Sequence, residues 1–185
     1  MKFDQPPQIN KQESTKIPEN KTKDGVDFVF EKNLELEKIG TKEQYSRYLD
    51  SLFPESHIKD IVFHGTTSKD KFDNFELKYG EDSDYQGFYF ADTKFQAGGI
   101  AGKEGRVFPV ILNVNPKIGE WGITATKEDI QNAKKEGFNS LREEDLERGK
   151  DFNTTIVFEP EQIRILGSKQ DLEEFKNFVF KTKEE

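Results

Sequence analysis

The chain contains no cysteine, which removes disulfides, thiolate metal sites and a thiol nucleophile from consideration. Histidine is nearly absent: His57 and His64 are the only two, so a metal centre would have to rest on carboxylates. Basic residues (28) are outnumbered by acidic ones (36), for a formal net charge of -8. That balance argues against a protein that grips nucleic acid through a broad basic face, while leaving room for a local basic patch. No window is apolar for long enough to cross a bilayer, and the opening "MKFDQPPQIN" lacks the apolar core of a secretory signal. These absences predict a soluble chain made in the cytoplasm, or one delivered into a host cell without a classical signal peptide. A Walker phosphate loop and a dinucleotide fingerprint are missing too; "GGIAGKEG" has the glycines but neither the spacing nor the Lys-Ser/Thr ending.

What the sequence does have is phenylalanine. Hydrophobic residues make up only 32% of the chain, but 17 phenylalanines each bring a large apolar area to a core. The length suits one domain with appendages. Residues 1–24, rich in Lys, Gln, Asn, Glu and Pro, read as a tail or linker, residues 25–181 as a single domain, and "KTKEE" as a frayed end.

Helix signals are clear at three places. Thr41 and Gln44 form a capping box ahead of Tyr45, Tyr48, Leu49 and Leu52. Thr126 precedes "KEDIQNAKKEG", closed by Gly137, and Ser168 precedes a stretch with Leu172, Phe175 and Val179 on one face. "ADTKFQAGGIAG" reads as a short helix closed by glycines, with Gly98, Gly99 and Gly102 marking turns and close packing. Strand signals fall at 61–64, 87–91, 107–114, 154–158 and 162–166. Many short strands with a few helices and no regular βαβ alternation predict an α+β fold.

Three segments bear on chemistry. In "IVFHGTT" a strand ends in His64 and Gly65, where the glycine allows close backbone approach to a ligand and Thr66, Thr67 and Ser68 add hydroxyls. In "QGFYFAD" alternation puts Phe88 and Phe90 on one face and Tyr89 on the other, which predicts a cleft-facing ring able to stack on a heterocycle or, equally, one that packs in a core. The third is "DFNTTIVFEPEQIRILG", a strand, a proline turn and a second strand.

Taken in order, "HGT", "FDNF", "GFYF", "LNVNP", "GFNSL" and "IVFEPEQI" resemble the ADP-ribosyltransferase-like domains of the diphtheria-toxin and poly(ADP-ribose) polymerase type. The likeness is nearest to those of bacterial and phage polyvalent proteins. It spans roughly residues 58–167, and its specificity lies in the ordered series. The resemblance implies a split β-sheet that clamps NAD in a cleft, with NAD as substrate. His64 would bond the adenine-side ribose, Gly65 the nicotinamide carboxamide through its backbone, and Tyr89 would stack on the nicotinamide ring, with Thr66 and Ser68 beside them. The implied activity is transfer of one ADP-ribose unit to a protein or nucleic-acid acceptor with release of nicotinamide, in the setting of a toxin or effector.

Two positions depart from the family. Thr154 stands where active members carry a glutamate that bonds the nicotinamide ribose, and Ile100 stands where a second tyrosine is common. Asp151 and Glu144, in or beside the acidic loop "LREEDLERGKD", are candidate substitute acids; the same charge run also reads as a solvated, partly helical surface. Two other readings accompany the transferase: an NAD or ADP-ribose binding module without turnover, and an interaction domain that holds a basic partner through its acidic surface.

Overall fold

The computed structural model describes residues 21–76, 86–119, 125–144 and 152–182. Among them are six α-helices and seven strands, an α+β architecture around one open mixed sheet. The helices are α1 (Lys21–Lys32), α2 (Glu35–Ile39), α3 (Lys42–Leu52), α4 (Lys94–Ala101), α5 (Lys127–Lys135) and α6 (Lys169–Lys181). The strands are β1 (Val62–Thr66), β2 (Phe88–Ala91), β3 (Arg106–Leu112), β4 (Pro116–Ile118), β5 (Ser140–Glu143), β6 (Thr154–Val157) and β7 (Ile163–Ile165). Their order across the sheet is β4-β5-β6-β2-β1-β3-β7. All pairs are antiparallel except β4 with β5.

Capping chemistry sets the helix starts. Thr41 and Gln44 bond each other's backbone N–H in a full capping box, as their spacing predicts, and Thr126 does the same with Asp129. Ser168 accepts from the Asp171 N–H, and Gly137 follows α5 at φ +88°, in the left-handed region that glycine tolerates best. Helix α1 reaches back to Lys21, so the last residues of the segment read as a tail lie in a helix. The predicted strands appear, each shifted by a residue or two, and two more join them. β4 begins with Pro116 at the sheet edge, where a missing N–H costs no ladder bond. β5 is four residues long and half charged, too short for its alternation to stand out.

One helical layer, α1–α3 with α6, buries Phe30, Leu36, Tyr45, Tyr48 and Phe175. At its centre the Asp171 carboxylate accepts from Tyr45 OH (2.5 Å), Tyr48 OH (3.2 Å) and the Gly167 N–H (2.7 Å). Burial pushes the Asp171 pKa up to about 6, although these three donors pull it down. The tyrosines of α3 therefore pack in the core and also hold a polar anchor.

The motifs "LNVNP", "GFNSL" and "EPEQI" converge on one hydrogen-bonded latch. The Gln162 side-chain amide donates to the carbonyls of Asn113 (2.9 Å) and Asn139 (3.1 Å), and the Asn115 N–H donates to Asn139 Oδ1 (2.6 Å). The first two satisfy the buried Gln162 amide, which would otherwise be costly. The order of these motifs thus has a structural basis, since together they tie the β4–β5 end to the start of β7.

Candidate functional site

Strands β6, β2 and β1 lie side by side and carry Thr154, Tyr89 and His64-Gly65. Segments 90 residues apart in the chain are thus separated by a single strand in the sheet. The ladders on either side are long: β1 pairs β3 through five residues and β2 pairs β6 through four. Between β1 and β2 a single register pair is formed, Phe63 with Ala91. The sheet is therefore close to parting at this seam, beside the residues that the sequence singles out.

His64 stands on the parting side of the Phe63–Ala91 pair. Its Nδ1 lies 2.9 Å from the Tyr89 carbonyl, which can only accept, so Nδ1 carries the proton and Nε2 holds a lone pair. The imidazole is enclosed by Phe75 (5.0 Å between ring centres) and Phe90 (5.7 Å). This burial lowers its pKa below the ordinary histidine range, against a smaller upward pull from the Tyr89 bond. At neutral pH the ring is uncharged.

Gly65 needs to be glycine for packing alone. A Cβ there would lie 2.0 Å from the Ala97 carbonyl oxygen and 3.1 Å from Ile100 Cβ, so α4 rests directly on the strand. Pro109 has no N–H and accepts from Leu166 on the far side of β3, which fixes the alternation. Phe63 and Gly65 then turn their backbone polar groups toward β2, and Val62, His64 and Thr66 turn theirs toward β3. Thr66 and Ser68 form successive hydroxyl-capped turns, Thr66 Oγ accepting from the Ser68 N–H and Ser68 Oγ from the Asp70 N–H.

The sheet divides these side chains. His64 shares a face with Phe90 and the Phe75–Phe88–Phe108 cluster. Gly65, Tyr89 and Thr154 are on the other face, as the register and alternation require. The Tyr89 ring does not stand in an open cleft. It is half-buried against Ala125, Ile130, Leu141 and Ile156, and its hydroxyl accepts from the Ala125 N–H at 3.0 Å. Helix α5 covers this part of the face and draws the ring into its own cluster.

Thr154 Oγ accepts from the Gln96 side chain of α4 at 3.2 Å. Its register partner on β5 is Glu143, so the two side chains emerge on the same face, typically with about 4.5–5.5 Å between Cβ atoms. Glu143 is half-exposed and has no hydrogen bond or ion pair among the described residues. It ends a strand, not a partly helical surface. Of the candidate acids, Glu144 is engaged by Arg142 Nε at 2.9 Å, and Asp151 lies outside the described residues. Ile100 is exposed beside Gly65. Gly98 and Gly99 show no neighbour within 4 Å of a built Cβ, so close packing is not what places them in α4; Gly102 closes the helix at φ +67°.

Arg142 and Asp92 were missed as a pair. The guanidinium takes both Asp92 oxygens, at 3.0 and 2.8 Å, and donates to the Thr155 hydroxyl at 2.9 Å. Asn153 Nδ2 adds a bond to Asp92 at 3.2 Å. The pair joins β5, β6 and the β2–α4 turn at one wall of a cavity of about 530 Å³, which also takes in Asp60–Phe63. Only an alternation reading of the short "SLRE" segment could have suggested that Arg142 turns inward. A second cavity, of about 580 Å³, lies between α1, β3 and α4. Neither cavity is lined by His64, Tyr89 or Thr154.

Comparison of the chain with family models, curated proteins and solved structures finds no match. No group of three or more His, Cys, Asp or Glu that could hold a metal occurs among the described residues. No described helix is long and apolar enough to cross a membrane.

Proposed function

We propose that the seam between β1 and β2 binds NAD and that the protein transfers a single ADP-ribose unit to a macromolecular acceptor. The observation that carries this reading is the succession of His64-Gly65, Tyr89 and Thr154 on the consecutive strands β1, β2 and β6, beside the β1–β2 ladder, which among the described residues is reduced to a single pair. The neutral His64, with its lone pair on Nε2, suits a ribose hydroxyl donor. Gly65 offers a backbone donor and acceptor turned toward β2, matching the two hydrogen-bonding groups of a carboxamide. The Ala97 carbonyl closes the α4 side of Gly65, so a nicotinamide ring enters from the β2 side or with an outward shift of α4.

In the reaction the C1′–N bond to nicotinamide breaks and its electron pair leaves with the ring. A nucleophilic atom of the acceptor bonds C1′ and gives up its proton. Positive charge builds on the ribose in the transition state, so a fixed carboxylate nearby is worth more there than in the ground state. Thr154 cannot supply that charge. Glu143, its partner across β5–β6, is the described carboxylate best placed to do so.

A second reading, an NAD or ADP-ribose binding module without turnover, is favoured by Thr154 itself and by the way Tyr89 is held in the α5 cluster. Labelled NAD separates the two. Label transfer to a macromolecule in a cell lysate, lost in His64→Ala, supports the transferase. Binding of NAD with neither label transfer nor nicotinamide release supports the binding module.

A further inference from the structure

The 580 Å³ cavity between α1, β3 and α4 has a charge opposite to that of the molecule. Lys32, Lys71, Lys94 and Arg106 line it, with Asp73 as the one acid among the described residues, in a chain of net charge -8. Among the described residues none of these four cations forms an ion pair, although seven other cationic side chains do. In place of a carboxylate, the Lys94 and Lys32 ammonium groups lie over the same Phe28 ring, at 4.6 and 5.8 Å from its centre. Two ammonium groups held near one ring make a local positive field that draws an anion. The Arg106 Nε donates to the Lys69 carbonyl, which fixes the plane of the guanidinium.

The rest of the lining is apolar and aromatic. Phe72 stacks on Phe108 with 4.2 Å between ring centres and 29° between planes, and both residues are among those lining the cavity, as is Phe28. On the opposite side Gly167, at φ +74°, lets the Asn33 side chain donate to its carbonyl at 2.8 Å, so the wall is held by a hydrogen bond. Aromatic lining residues and a cationic rim, enclosing a volume in the range of small-molecule sites, together suit an amphiphilic anion with a planar ring.

We propose that this cavity is a binding site for a nucleoside phosphate, its phosphates held by Lys32, Lys94 and Arg106 and its ring packed among the aromatic lining residues. The proposal goes beyond the NAD reading and does not depend on it, because the cavity has no lining residue in common with His64, Tyr89 and Thr154.

Calorimetric titration of the full chain with ADP, adenosine and inorganic pyrophosphate tests it. ADP is expected to bind, with adenosine and pyrophosphate each at least tenfold weaker. The Lys32→Ala/Lys94→Ala double variant, altered only at exposed side chains, is expected to weaken ADP tenfold or more, as is Arg106→Ala. The proposal is overturned if ADP fails to bind at millimolar concentration, or if pyrophosphate or adenosine binds as tightly as ADP. It is equally overturned if His64→Ala abolishes ADP binding while the lysine and arginine variants retain it, which would assign the ligand to the β1–β2 seam.

Discussion

Glu143 and Thr154 face each other across the β5–β6 ladder, and this pairing sets a carboxylate beside the Thr154 hydroxyl. On the transferase reading, Glu143→Gln lowers nicotinamide release by roughly 100-fold, the scale of losing one transition-state electrostatic contact, while NAD affinity changes little. Thr154→Glu raises turnover in the wild-type background and restores part of it to Glu143→Gln. Steady-state release assays with calorimetric NAD binding check both; equal turnover in Glu143→Gln and wild type rules out the role.

The protonation state of His64 can be read directly. Burial among Phe75 and Phe90 holds its pKa below the ordinary value, so its imidazole titrates at lower pH than a histidine in an unfolded peptide, with the proton on Nδ1 near neutrality. A group lowered on folding adds stability above its unfolded pKa and loses it as pH falls through the folded one. NMR titration of His64 should show a midpoint below the 6.5 of the free side chain, and a midpoint above it contradicts the buried geometry.

Asp171 has the opposite sign. Its pKa rises from 3.8 to about 6 on folding, so its contribution is fully present below about pH 4 and is lost as pH rises toward 6, by roughly 3 kcal/mol in total. Chemical denaturation from pH 4 to pH 6.5 should show this component falling with pH in the wild type and absent in Asp171→Asn. An unchanged slope in the variant would assign the effect to other groups.

Much of this fold was legible because its signals are local. Thr41, Thr126 and Ser168 cap helices through bonds that span three residues, and five strands show as short runs rich in β-branched and aromatic residues. β4 and β5 were not legible, since three or four residues with a proline or charged side chains show no period, and their placement depends on the Gln162–Asn113–Asn139 latch across the chain. The candidate site divides in the same way. His64 and Tyr89, which stand out in separate segments, lie on adjacent strands that meet through the bond between the His64 ring and the Tyr89 carbonyl. What no single segment could show was the sheet face each side chain takes, the cover of α5 over Tyr89, and the Arg142–Asp92 pair.

That pair gives a stability test. The two side chains are only 11% and 12% exposed, so removing one leaves a buried unpaired charge, a loss of about 3–5 kcal/mol. Arg142→Ala should therefore be strongly destabilised in urea melts, and Arg142→Ala/Asp92→Ala less so than the single variant. A double variant as weak as the sum of the two singles would show no coupling between them.

The central claim, that the β1–β2 seam is an NAD site with chemistry, stands on one measurement: free nicotinamide released from NAD by the full chain, with His64→Ala alongside. The account predicts release by the wild type and a loss of at least tenfold in His64→Ala. No release by the wild type in the presence of cell lysate, or release indifferent to His64, contradicts it.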